Sequence, residues 1–421
     1  MITPSQVTRC ARSTRAGAPV TSPASTVSAP RAGPRTWQLA GAFDAGEIRG
    51  WTPDFQQQLH FHQLELTGHA EQLEGDYRLL REEFGLRRFR DGAWLARSLP
   101  APGQIDWTYL DRLAGVSRGE VTLSLCHYEW PPWIEPPDLW NGRVLEAMAD
   151  FAGQVARRYR GHFGAYIPVV ESGYWTAMMT DWGRWWPAAP RSTVHGASEA
   201  NGEATAWWRL YAVVGRMLVA MARAIKDGDP RARVALSEPW AWHPHVSLED
   251  QGRPFNTILG RPDPAAARET GSDSWGGDPS LLDEVGLNFY NNWGVDHGWP
   301  LSRLLLEARR HYPQQRIIMG ETGNCHFSDC HTVAGWLDLI DQEVQRANAG
   351  GAAVEAVTWA PVLTLGDFDW GRPAPGAWVT WEADDPRRQR HWDPDVARAV
   401  RAYTQDTAPG RDRDAQRAGA A

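Results

Sequence analysis

The chain has 421 residues, 42% hydrophobic and 22% charged, enough to bury one large core. A formal net charge of -8 and a pI near 5.9, with no basic stripe, argue against a phosphate-backbone partner, so no nucleic acid is expected. Four cysteines are too few for a disulfide framework and suit a reducing, cytoplasmic setting.

Residues 1–36 hold five Arg and no Asp or Glu among many Ser, Thr, Pro and Ala. Such a composition cannot bury apolar surface, so disorder is expected, and the segment lacks the continuous apolar run of a secretory signal. Residues 37–404 read as one catalytic domain, and 405–421 as a second disordered tail. Within the domain, short β-rich runs fall at 38–43, 86–90, 121–126, 165–170, 234–237, 285–289, 316–319 and 356–359. Segments of helical period lie between them at 71–83, 107–113, 144–158, 204–226, 301–311 and 333–349. Eight strands alternating with helices predict a parallel sheet closed on itself, a (β/α)8 TIM barrel in the α/β class.

The most apolar helical run, 212–225, carries Arg216 and Arg223 and is too short to cross a bilayer, so no membrane segment is expected. Lys226 is the only lysine among 43 basic residues. It follows that helical run and precedes Asp-Gly-Asp-Pro, which predicts a solvated helix end and excludes imine chemistry on a buried lysine. No GxGxxG or P-loop pattern follows the first strand, which weakens nucleotide-binding alternatives.

Barrel enzymes place their chemistry at the C-terminal ends of the strands. Here Arg90-Asp91 follows the second strand, His127-Tyr128-Glu129-Trp130 the third, Glu171 the fourth, Glu238 the fifth, Tyr290 the sixth and Glu321 the seventh. Two glutamates ending apolar strands are the notable pair, because a carboxylate costs several kcal/mol to bring near an apolar interior without partners or chemistry. Paired carboxylates are what glycoside hydrolysis needs. The competing reading of each is a carboxylate that caps the following helix. Glu238 is a rival, read as a supporting or subsite residue. Twenty-four Trp offer ring faces for sugar C–H surfaces, although much of this aromatic content can equally be core.

These motifs resemble the clan A glycoside hydrolases, most closely the family 1 β-glycosidases, over about 37–403. Leu86-Arg87-Arg88-Phe89-Arg90 resembles that family's second strand, whose Arg contacts the nucleophile; Arg90 is the match, and Arg88, two residues earlier on the same strand face, stays open. The segment around His127 resembles the strand whose His binds a sugar hydroxyl. The family's Asn-Glu-Pro acid/base strand reads Val170-Glu171-Ser172 here, so Val170 offers no donor to a sugar 2-hydroxyl. Tyr290 matches the Tyr that bonds the nucleophile, and Gly320-Glu321 matches the family's Thr-Glu nucleophile pair. Trp359 and Asp369-Trp370 are similar to the eighth strand and its sugar-gripping loop.

The resemblance implies a retaining, β-glucosidase-like hydrolase with Glu171 as acid/base and Glu321 as nucleophile. Arg90, His127, Tyr290, Trp359, Asp369, Trp370 and Trp175 would bind a carbohydrate or glycoside, and no cofactor is implied. A non-hydrolytic glycoside-binding barrel, a modified glycone or a transglycosylase are the alternatives. Cys325-His326 and Cys330-His331 match no standard zinc spacing, so no metal is expected. The oligomeric state is open.

Overall fold

Phe89–Gly92 and Glu284–Asn288 are buried at every position, the mark of strands covered on both faces, as a parallel sheet requires. The computed structural model describes residues 35–187, 204–241, 247–290, 300–323, 332–374 and 376–405. Its central strands are β1 (Gln38–Ala42), β2 (Phe89–Gly92), β3 (Val121–Ser124), β4 (Ala165–Ile167), β5 (Ala235–Pro239), β6 (Glu284–Asn288), β7 (Arg316–Thr322) and β8 (Val354–Trp359). All pair in parallel, in the order β4-β3-β2-β1-β8-β7-β6-β5. Parallel bridges Tyr166–Val234 and Val170–Ser237 join β4 to β5 and bring the two sheet edges together. The eight expected strands are thus a (β/α)8 barrel.

The outer helices follow the apolar spacing. In Leu301–His311 the buried residues are Leu301, Leu304, Leu305 and Ala308, one face of a 3.6-residue period, and Arg309, Arg310 and His311 crowd the negative end of the dipole. Arg143–Arg158 buries Val144, Met148, Phe151 and Val155 and packs on Ala204–Gly228. Thr332 caps Val333–Ala349, its hydroxyl accepting from the Gly335 amide at 3.0 Å.

Three elements were not expected from periodicity. An antiparallel hairpin, Glu47–Trp51 with Gln58–His62, follows β1 and docks on residues 184–186 through Trp51 N to Arg184 O (2.8 Å) and Trp186 N to Arg49 O (2.7 Å). Gly50 permits that approach, since a Cβ there would lie 2.2 Å from the Arg184 carbonyl. Ser172–Met179 begins directly after Glu171. The long connection after β5 carries the short helices Leu248–Gln251, Arg253–Ile258 and Pro264–Thr270, so it is a folded layer rather than an open loop.

Candidate active site

Glu321 reaches the barrel interior through an irregularity in β7. Leu287 pairs with Met319 but Asn288 pairs with Glu321, so β7 carries one extra residue there. Ile318 and Gly320 face the barrel axis; without the bulge Glu321 would alternate outward, and with it the carboxylate turns inward. The buried Arg90 guanidinium donates to its Oε1, and the Tyr290 hydroxyl donates to its Oε2 at 2.6 Å. A guanidinium and a phenol on opposite oxygens hold the carboxylate from both sides and aim it.

Glu171 lies just beyond β4 with φ 46°, in the left-handed region that a residue with a Cβ seldom adopts. Its Oε2 accepts from the Tyr128 hydroxyl and its Oε1 from the Asn288 side-chain amide at 2.7 Å. Tyr128 also has a positive φ, 61°. Burial, then the charge of Glu321, pushes the Glu171 carboxyl up to about 8, against the lowering effect of its two donors. At neutral pH it therefore holds a proton.

One hydrogen-bonded chain links the two carboxylates. Arg90 touches Glu321 and, at 3.5 Å, Ser237 Oγ; Ser237 donates to Asn288 Oδ1 at 2.6 Å; Asn288 donates to Glu171. Gly320 is fitted to this chain, because a Cβ there would lie 2.4 Å from Ser237 Oγ and 2.7 Å from Asn288 Oδ1. Glycine therefore stands where a bulkier residue would displace the network. Glu238 supports it from behind, accepting from Ser172 N (2.9 Å), Ser172 Oγ (2.7 Å) and Gly173 N (3.3 Å). It is the helix-capping carboxylate of this site, buried and pushed up to about 8, chiefly by desolvation.

His127 is buried, its Nδ1 3.8 Å from Asp44 Oδ1, and burial followed by the charge of Arg90 depresses it to about 3. It is a neutral imidazole. Trp175 is buried against Trp130, with ring centroids 4.4 Å apart. Asp369 is paired with Arg184 at 2.8 Å, and Trp370 is exposed. The part of their loop that packs beside the site is Phe368, edge-on to the Tyr128 that bonds Glu171, with ring centroids 5.9 Å apart. Trp359 is fully buried, and its register partners Gly41 and Thr322 face outward, toward Leu86, Val362 and Trp378 and toward the helix residue Trp336 respectively. With Trp378 at 5.3 Å, the Trp359 indole belongs to this outer packing and is set apart from the carboxylates.

Sequence reasoning passed over Tyr128, Asn288, Ser237 and Asp44. Asn288 lies two residues before Tyr290, so strand alternation could have found it, and Asp44 is the strand-end polar residue of β1. The Cys-His pairs at 325–331 and the residues His243, Pro244 and His245 lie outside the described residues. Among the described residues no group of three or more His, Cys, Asp or Glu is arranged to hold a metal, and no helix is long and apolar enough to cross a membrane.

No family profile and no curated protein matches the chain. Solved structures do. The β-glucosidase from Thermotoga maritima in complex with deoxynojirimycin aligns with a TM-score of 0.68 at 11% identity, covering 89% of this chain and 99% of that one. The family 1 β-glucosidase from Thermotoga maritima gives 0.65 at 12%, covering 89% and 98%. The AHE enzyme from Alicyclobacillus herbarius gives 0.62 at 15%, covering 88% and 98%. At such identities the likeness is one of architecture: the chain shares the (β/α)8 barrel fold of these enzymes.

Proposed function

We propose that the chain is a retaining glycoside hydrolase acting on a β-linked glycoside. The observation that carries this is a pair of buried carboxylates in one network with opposite environments: Glu321 held by a guanidinium and a phenol, Glu171 raised to about 8. This is the division of labour between nucleophile and general acid. In the first step Glu321 forms a bond to the anomeric carbon as the glycosidic C–O bond breaks, and the Glu171 proton passes to the leaving oxygen. In the second, Glu171 takes a proton from water, the water oxygen bonds the anomeric carbon, and Glu321 departs. Two inversions give net retention.

Neutral His127 can bond a sugar hydroxyl without competing for the acid proton. The test is a panel of aryl β-glycosides with a 2-fluoro glycosyl trap. Turnover and a labelled peptide containing Glu321 support the reading; binding without either overturns it.

Val170 favours a second reading at the level of substrate. It is fully buried, and the nearby Asn288 amide is already engaged by Glu171 and Ser237. A glycone modified at the 2-position fits this better than one with a free 2-hydroxyl. Comparing kcat/KM for 2-hydroxyl, 2-deoxy and 2-acetamido aryl glycosides distinguishes them, and added sugar acceptors reveal any transglycosylation.

A further inference from the structure

One guanidinium outside the catalytic pair gathers three segments of the chain around Glu171. Arg184, largely buried, donates Nη1 to Asp369 Oδ1 at 2.8 Å, Nη2 to the Phe368 carbonyl at 3.3 Å and Nε to the Trp51 carbonyl at 3.3 Å. Its backbone adds two bonds, the amide donating to Met178 O at 3.0 Å and the carbonyl accepting from Trp51 N at 2.8 Å. The hairpin after β1, the helix after Glu171 and the loop after β8 are thus tied at one residue. A planar fork with donors on three nitrogens can serve three acceptors fixed in space, which a single ammonium on a flexible stem does less well.

The tied segments converge on Tyr128. Trp185, next to Arg184 in the chain and buried, has its ring centroid 5.0 Å from that of Tyr128. Phe368, whose carbonyl Arg184 holds, stands edge-on to Tyr128 at 5.9 Å and to Trp185 at 6.1 Å, and Tyr174 of the helix lies 5.9 Å from Tyr128. The hairpin holds the adjoining backbone, with Glu47 N donating to the His127 carbonyl at 3.2 Å. Tyr128 needs this support, because its left-handed φ of 61° persists only where the surroundings fix it. Its hydroxyl is one of the two donors to Glu171.

Resting on the glycosidic reading, we infer that Arg184 is a positioning residue for the general acid: it locks Trp185 and Phe368 around Tyr128 and so keeps the Tyr128 hydroxyl on Glu171. Arg184 itself bonds neither carboxylate of the pair; its effect passes through the rings. Cutting the tie should free Tyr128 and remove from Glu171 a donor that favours the ionised form, leaving the carboxyl misaimed and its proton held more tightly.

The test compares the full chain with Arg184→Met, Arg184→Lys, Tyr128→Phe and the double variant Arg184→Met/Tyr128→Phe, with Asp369→Asn as a milder cut should Arg184→Met fail to fold. Glu171 is titrated without substrate by infrared difference against Glu171→Gln, and kcat/KM is measured across aryl glycosides of good and poor leaving groups. In Arg184→Met the Glu171 titration should move upward, as in Tyr128→Phe, with Arg184→Lys and Asp369→Asn between it and the parent. Turnover of poor leaving groups should fall at least tenfold more than that of dinitrophenolate. The double variant should be no worse than the more impaired single one, because both changes break the same link. An unmoved Glu171 titration in Arg184→Met or Asp369→Asn overturns the inference, as do additive effects in the double variant or equal losses for all leaving groups. A parent that turns over no glycoside sinks the glycosidic reading alone, since the infrared titration still decides whether Arg184 acts on Glu171.

Discussion

The side-chain amide of Asn288 donates to Glu171 at 2.7 Å, while its oxygen accepts from Ser237, which in turn neighbours the Arg90 that holds Glu321. One amide therefore opposes the burial that raises Glu171 and ties the position of that carboxyl to that of Glu321. Because this bond favours ionised Glu171, removing it in Asn288→Ala should raise the basic limb of the kcat/KM profile above its parent value near pH 8. Tyr128→Phe should shift the limb the same way. A limb that stays in place in both variants would mean that Glu171 is not the titrating acid.

Replacing the carboxylates should separate their roles. Glu321→Gln should abolish turnover of every aryl glycoside. Glu171→Gln should cost on the order of 10²–10⁴ in kcat/KM for a poor leaving group and far less for dinitrophenolate, which needs no proton. Steady-state kinetics across a leaving-group series checks both, and equal losses for good and poor leaving groups would rule out the acid role.

Gly320 gives a steric prediction. Its φ is not in the left-handed region, so the backbone tolerates alanine and the cost of Gly320→Ala comes from the side-chain contacts at 2.4 and 2.7 Å. A loss of about 1–3 kcal/mol is expected, with weakened turnover as Ser237 and Asn288 are pushed aside. Adding Ser237→Gly removes the tighter contact and should restore part of the melting temperature. Additive losses in the double variant would show that the two residues do not collide.

The barrel was legible because its strands are short and largely buried on both faces, most of them apolar, with Arg90-Asp91 in β2 and the exposed Glu355 in β8 as exceptions. Arg90, Tyr290, Glu171 and Glu321 were legible because each ends a strand or lies just beyond one. The hairpin was not legible, since Glu47–Trp51 shows only a weak alternation and acquires its role from docking on residues 184–186. The placement of Trp359 depends on register: its pairing with Gly41 and Thr322 turns the ring outward, which no local pattern announces. The glycine at 320 became intelligible only with Ser237 and Asn288 beside it, a contact between strands far apart in sequence.

Stability should fall as pH rises, in two separable windows. His69 lies behind β2, stacked on Phe43 with centroids 3.8 Å apart, Nδ1 2.8 Å from Asp76 and Nε2 3.1 Å from Asp91. With a carboxylate at each nitrogen it is an imidazolium; burial opposes the charge, but Asp91 and Asp76 outweigh it and bring the ring to about 9. Arg390 holds Asp76 at 2.7 Å, and Tyr77 and Tyr109 donate to Asp91. Since the folded value exceeds 6.5, the contribution is full below about 6.5 and is lost as pH rises through 9, amounting to on the order of 3 kcal/mol. Glu171, raised from 4.5 to about 8, also binds its proton more tightly when folded, so its share of the decline falls between those values. Glu238, also raised from 4.5 to about 8, adds to the same window. Melting curves from pH 4 to 10 should show the earlier decline shrink in Glu171→Gln, leaving the share of Glu238, and the later one vanish in His69→Gln. Identical slopes in the parent and His69→Gln above pH 7 would exclude the charged imidazole.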